Sequence, residues 1–319
     1  MSIEDKNNIC TILDFEFMTE EPQTLWPMMG SALHGIMGRQ LHRMFCIRTD
    51  PVCSECDINC VYCQVFNRRD SKNRNNTLPN LYTIYHRGTE APSTKLRFRI
   101  SIFGESVAHK DSIIEAVSTG CLAGLTNRRV PYRLTALTEN KCKVFSNNPE
   151  PAKEVTLQFD TPLQIRISVA GKKTVSWTPP SFSMVMKCIF LRLDELGIIA
   201  VSPDLENTLM ERAKTITEVQ NSLRKYSLER LSVEKYVRRS LSGLHGEITF
   251  RGDLDEFMPF LRAGEILHIG KACTMGNGHY MVLHSLHRPG TVAGTDIRDY
   301  SDATIDSIKL SREEESTAD

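Results

Sequence analysis

The chain has 319 residues, 40% of them hydrophobic and 24% charged, with a formal net charge of zero. That length allows one large core or two of ordinary size, and no apolar run reaches the ~18–20 residues of a membrane span. The opening MSIEDKNNIC is polar and acidic rather than a secretory leader, so the expectation is a cytoplasmic protein, off the membrane, with reduced thiols.

In chain order, residues 9–17 alternate like a half-buried strand, and residues 28–45 repeat apolar side chains at helical spacing (Met29, Leu33, Ile36, Met37, Leu41). An insertion follows over 46–80. It begins with a cysteine cluster and continues into the polar, basic stretch RRDSKNRNN, which reads as a mobile loop. Leu96, Phe98, Ile100 and Ile102 alternate with Arg97, Arg99 and Ser101 as a second strand. A helix over 106–121 and strands over 132–138 and 143–145 complete the first half.

A Pro- and Asn-bearing linker at 146–153 divides the chain. Beyond it the pattern predicts a strand (155–169), two helices (182–196 and 205–223), strands at 228–237 and 244–251, a helix at 254–261 and a strand at 280–284. Each half fits a β-α-β-β-α-β order, which makes the fold class α+β with two tandem ferredoxin-like domains and a cysteine-rich insertion in the first. The domains are expected at 1–150 and 151–290, followed by an acidic, partly disordered tail at 291–319. Residues 294–319 hold eight acidic and three basic side chains, a net −5, which leaves +5 for the rest of the chain.

Cys53, Cys56, Cys60 and Cys63 form C-x2-C-x3-C-x2-C, with Cys46 seven residues earlier. Four thiolates complete a tetrahedral shell, which suits a structural metal, zinc ahead of an iron–sulfur cluster. The short central gap equally fits reduced thiols packing a small knuckle. No histidine or carboxylate joins the set, so a catalytic metal is not expected.

His34 and His42 lie two turns apart on the first helix, with Arg39 and Arg43 beside them. An imidazole can take a proton from a ribose 2′-OH or give one to a leaving 5′-oxygen, and guanidinium groups steady charge on phosphate oxygens. Packing or capping an amphipathic helix is the ordinary alternative for each ring.

The stretch FLRAGEILHIGKACTMGNGHYMVL (260–283) sets Gly270, Gly276 and Gly278 around Lys271. It is neither a P-loop nor a dinucleotide fingerprint. Its glycines let successive N–H groups line an anion-binding concavity, or they make a tight turn between strands. Basic residues gather at Arg68, Arg69, Lys72 and Arg74, at Arg128, Arg129 and Arg133, and at Arg224, Lys225, Arg230, Lys235, Arg238 and Arg239. In the last group Tyr226 and Tyr236 interleave, a pattern suited to a phosphate track with base stacking.

Three blocks together resemble one family, the CRISPR pre-crRNA-processing endoribonucleases of the RAMP superfamily. GLHGEITFRGDLDEFMPFLRAGEILHIGKACTMGNGHYMVL (243–283) is similar to the family's C-terminal strand, helix, L-H-x-G-K turn and glycine loop, with Glu229-Arg230-Leu231-Ser232 upstream. LHGIMGRQLHRMFC (33–46) resembles its first helix, and the Cys53–Cys63 knuckle continues into Gln64-Val65-Phe66 as in many members. Ala272, Cys273 and Asn277 depart from the usual loop, and Glu234-Lys235 stands where a basic-Gln pair is common.

The resemblance implies RRM-related domains and metal-independent cleavage of CRISPR repeat RNA by 2′-OH attack, leaving a cyclic phosphate and a 5′-OH. By position it points to His42, then His34, as general base or acid, and to Lys271 and Arg39 as phosphate contacts. No cofactor is implied for catalysis. The implied partners are repeat RNA, its crRNA product and other effector subunits. Two alternatives stand beside it: a RAMP subunit that holds crRNA without cutting, and a metal-knuckle DNA-binding regulator.

Overall fold

The computed structural model describes residues 2–25, 28–47, 60–70, 72–73, 76–86, 88, 91–125, 129–169, 172–227, 229–232 and 237–283, with backbone alone at 168–169, 172–173, 229–232 and 237–239. A short strand β1 (Ile3–Asp5) precedes β2 (Ile9–Gln23), α1 (Gly30–Phe45) and the short α2 (Val61–Val65). β3 (Tyr82–Tyr85), β4 (Ser93–Phe103), a 3-10 turn over Gly104–His109, α3 (Lys110–Leu122) and β5 (Arg133–Lys143) follow. These strands form an antiparallel sheet in the order β3-β4-β2-β5.

The alternation in β2 explains its two faces. Leu13, Phe15 and Phe17 are buried with Leu33, Met37 and Leu41 of α1, whereas Asp14 and Glu16 point away. There they meet cross-strand arginines: Arg99 grips Asp14 at 2.8 and 3.0 Å, and Arg97 meets Glu16 at 2.6 Å.

The second half begins with β6 (Glu154–Leu163), a hairpin of β7 (Arg166–Val169) and β8 (Lys172–Val175), and α4 (Phe182–Glu195), which is capped by Ser181 accepting from the Met184 amide. β9 (Ile199–Val201) pairs back with β1. α5 (Pro203–Ala213), β10 (Thr217–Asn221), β11 (Arg224–Tyr226), a hairpin of β12 (Glu229–Ser232) and β13 (Val237–Ser240), β14 (Gly243–Arg251), α6 (Met258–Leu267) and β15 (Tyr280–Leu283) complete it. Its sheet runs β10-β14-β6-β15, with β11 also on β14. In both sheets the first strand lies between the third and the fourth, and the second strand flanks the third.

Phe103 and Leu81 of the first half are buried in the second half's core with Phe145 and Phe260, so the halves share apolar packing. No helix among the described residues is long and apolar enough to cross a membrane.

Several elements differ from expectation. One continuous β5 replaces two strands, because residues 133–143 pair unbroken, apart from one irregularity, with β2. The helix expected over 205–223 ends at Ala213, and the β-branched Thr217 and Val219 join β10 instead. The strand expected over 155–169 stops at Leu163 and turns into the β7–β8 hairpin. The last helix lies at Met258–Leu267 rather than 254–261, so Gly264 is helical: a Cβ there would stand 2.0 Å from the Tyr280 hydroxyl. The acidic tail lies outside the described residues.

Candidate functional site

His34, Gly38 and His42 follow one another at four-residue steps and therefore form one stripe along α1. Gly38 leaves a gap that the Phe66 ring fills. Phe66 packs 4.6 Å from His34 and 5.6 Å from Tyr62, and Tyr62 meets His42 edge-on at 5.0 Å. An aromatic row contributed by α2 and the turn behind it thus runs beside the helix from one imidazole to the other.

The two imidazoles differ in their surroundings. His34 is 8% exposed, and its Nδ1 shares a 2.9 Å hydrogen bond with the buried Tyr82 hydroxyl. Burial pushes the Tyr82 phenol up, so it stays neutral there. His42 is half-buried in the last turn, and Arg39 and Arg43 on the same helix are exposed.

The glycine loop docks on the start of this helix. A Cβ on Gly30 would lie 2.5 Å from the Met275 carbonyl oxygen. Five of its amides are taken up within the protein. Lys271 N–H donates to Gln164 O, Met275 and Asn277 to Ala272 O, Gly276 to Cys273 O and Gly278 to Pro162 O, so they brace the loop. Gly278 has φ +74°, and a Cβ there would stand 1.8 Å from the Ile269 carbonyl oxygen. The Lys271 side chain is exposed and makes no ion pair among the described residues.

At the junction of the halves, the Asp160 carboxylate accepts from the Tyr85 hydroxyl at 2.5 Å and meets His279 Nδ1 at 2.6 Å. Tyr85 stacks on His279 at 3.8 Å, and His268 lies 5.0 Å from His279. Burial first, and the neighbouring His279 second, hold His268 well below the usual imidazole range. Sequence reasoning named none of these residues. Strand β3, which carries Tyr85, was hidden behind the insertion, although Tyr-Thr-Ile-Tyr has strand composition.

The other expected residues fall out as follows. Arg129 is exposed between α3 and β5 with φ +49°. The backbone register of the β12–β13 hairpin sets Arg230 opposite Arg239 and Leu231 opposite Arg238. Arg128 and Lys235 lie outside the described residues, as do Cys53 and Cys56. Cys60 and the buried Cys63 come together with Cys46, and Cys60 Sγ donates to Phe45 O at 3.2 Å. Among the described residues no three metal-ligating side chains stand close enough to hold an ion.

Comparison with known proteins places a family model on each half of the chain. The family model described as CRISPR-associated endoribonuclease Cas6 matches residues 157–280, and a second, described only as an N-terminal domain, matches 9–156. A comparison with curated proteins gives no match. Among solved structures, the chain is similar in fold to a Cas6 (TTHB231) product complex, with a TM-score of 0.60 at 16% identity over 86% of this chain and 100% of that one. Thermus thermophilus Cas6 (TTHB231) gives 0.56 at 15% identity over 89% and 100%. A partial Cas6-RT-Cas1–Cas2 complex gives 0.57 at 12% identity, over 92% of this chain and 49% of that one.

Proposed function

Because residues 157–280 match the family model described as CRISPR-associated endoribonuclease Cas6, we propose that this chain cuts CRISPR repeat RNA in precursor transcripts by metal-independent 2′-OH attack. The 2′-oxygen attacks the adjacent phosphorus and the 5′-oxygen leaves, giving a cyclic phosphate and a 5′-OH. His42 exchanges the proton, taking it from the 2′-OH or giving it to the 5′-oxygen. Arg39 and Arg43 stabilise the charge that builds on the phosphate oxygens, and Lys271 holds a neighbouring phosphate.

The observation that carries this reading is the contrast along α1: His42 is half-buried, with the exposed Arg39 and Arg43 on the same helix, whereas His34 is buried against Tyr82 and Phe66. His34 then supports the helix, and its part in proton transfer is secondary. Arg128, Arg129 and the β12–β13 hairpin with Arg230, Lys235, Arg238 and Arg239 would track the backbone of the RNA. The shared strand order of the two sheets supports reading residues 1–150 and 151–290 as ferredoxin-like domains. Cys53, Cys56, Cys60 and Cys63 would hold a structural zinc; the thiol chemistry of Cys60 and Cys63 fits such an ion, and no step of the cleavage uses it. The product crRNA would stay bound and meet other CRISPR subunits in a cytoplasmic assembly.

The test is a cleavage assay on cognate repeat RNA in EDTA. Cutting by the wild type and its loss in His42→Ala supports the nuclease. RNA bound but intact throughout means a crRNA-holding subunit instead.

A further inference from the structure

A cleft of about 410 Å³ opens where the segment behind α2 faces the loop behind α6. Phe66, Arg68, Leu78 and Asn80 line one wall, and Arg192 of α4 and Lys271 line the other. Cleavage as proposed above uses only Lys271 of this set. The volume is that of a small-molecule pocket, for which ~300–1,000 Å³ is usual.

The walls have unlike chemistry. Leu78 is an apolar side chain left 39% exposed, and Phe66 continues its surface. Opposite them Arg192 is almost wholly buried: Nη1 meets Glu195 at 3.1 Å and Nη2 donates to Leu267 O at 3.3 Å. Its Nε has no hydrogen-bond partner among the described residues. A buried guanidinium N–H in that state is destabilising until an acceptor arrives. Glu195 also lines the cleft, so Arg192, Lys271 and Arg68 set three cations against one carboxylate. Arg68 is already engaged with Pro79 O and Glu105. The Arg192 Nε itself has no accessible surface, so Lys271 is the group open to an anion. An apolar wall facing a cationic one suits the base and the phosphate of a nucleotide.

We propose that this cleft takes one unpaired nucleotide of the bound RNA, with its base against Phe66 and Leu78 and its phosphate toward Lys271. The inference rests on the RNA-cleaving reading and adds a subsite to it. It gives the segment behind α2 a role in gripping substrate rather than only in covering α1.

The test uses the full-length His42→Ala protein and repeat RNAs that each carry 4-thiouridine at one unpaired position. Irradiation should join one such position to a peptide containing Phe66, Leu78 or Lys271. Leu78→Asp, made at an exposed position, should weaken RNA binding severalfold by replacing an apolar contact with a charge that repels the phosphates, while Leu78→Met binds like the parent. If the wild type cuts the RNA but every cross-link falls elsewhere and Leu78→Asp binds normally, the subsite is wrong and the nuclease reading stands. If the protein neither binds nor cuts repeat RNA, both fail. If uridine monophosphate binds but no RNA cross-links to the cleft, the site belongs to a free nucleotide and the RNA assignment is overturned.

Discussion

A Cβ placed on Gly38 would stand 2.1 Å from Cζ of Phe66. The glycine is therefore the seat on which the aromatic row beside α1 rests. Alanine is the better helix former by ~1 kcal/mol, but the ring must leave its place to admit a methyl group. Overpacking of this kind costs about 1–3 kcal/mol, so Gly38→Ala should destabilise the protein on balance. It should also slow cleavage, because Phe66 touches His34 and stacks on Tyr62, which touches His42. Denaturation curves and single-turnover rates on one preparation check both effects.

The two imidazoles of α1 should separate chemistry from stability. His42→Ala should cut the cleavage rate by about 10²–10⁴-fold, the usual loss of a general acid or base, with little change in the melting temperature. His34→Ala removes a buried ring and leaves the Tyr82 hydroxyl without that partner, so it should cost about 2–4 kcal/mol of stability. The opposite pattern, with His34→Ala stable and inactive, would move the proton-transfer role to His34.

Asp160 joins the halves by accepting from Tyr85 of β3 while holding His279 behind the glycine loop. Asp160→Ala leaves both partners with a lost hydrogen bond in a site where the carboxylate and imidazole are each 13% exposed. The expected loss is about 2–3 kcal/mol, against about 1 kcal/mol for Tyr85→Phe. Because these residues sit at the contact of the two sheets, the double variant should lose less than the sum of the single losses.

Cys10 and Cys142 face each other across β2 and β5, with sulfurs 3.1 Å apart. The hydrogen bond between them pulls the Cys142 thiol down and pushes the Cys10 thiol up, and Arg99 nearby favours the Cys142 thiolate. The thiolate is the nucleophile. Iodoacetamide at about pH 7 should therefore modify Cys142 well before Cys10. Removing the donor in Cys10→Ala should slow that reaction several-fold, and the difference should fade above about pH 9, where an ordinary thiol is largely ionised. Peptide mass spectrometry over a time course reads both.

The strongly periodic elements were legible in the sequence. The alternation through Leu13, Phe15 and Phe17 and the apolar stripe through Leu33, Met37 and Leu41 each face the core as expected. So did the placement of His42, Arg39 and Arg43 together on one helix. What sequence alone could not show was which glycines turn the chain and which make room. Gly278 is a true positive-φ turn, whereas Gly264 is helical and lies against Tyr280. Both look alike in a glycine-studded run. The Tyr85–Asp160–His279 cluster was equally hidden, because Tyr85 and Asp160 lie 75 positions apart and only the docking of two sheets brings them together.

The most direct measurement of the central claim is the end chemistry of the RNA fragments. Wild-type protein and cognate repeat RNA in EDTA should give upstream fragments ending in a 2′,3′-cyclic phosphate and downstream fragments starting with a 5′-OH. A 2′-deoxy substitution at the cut nucleotide should abolish both. Fragments that carry a 5′-phosphate, or cutting that persists through the deoxy substitution, would contradict attack by the ribose hydroxyl and the role assigned to His42.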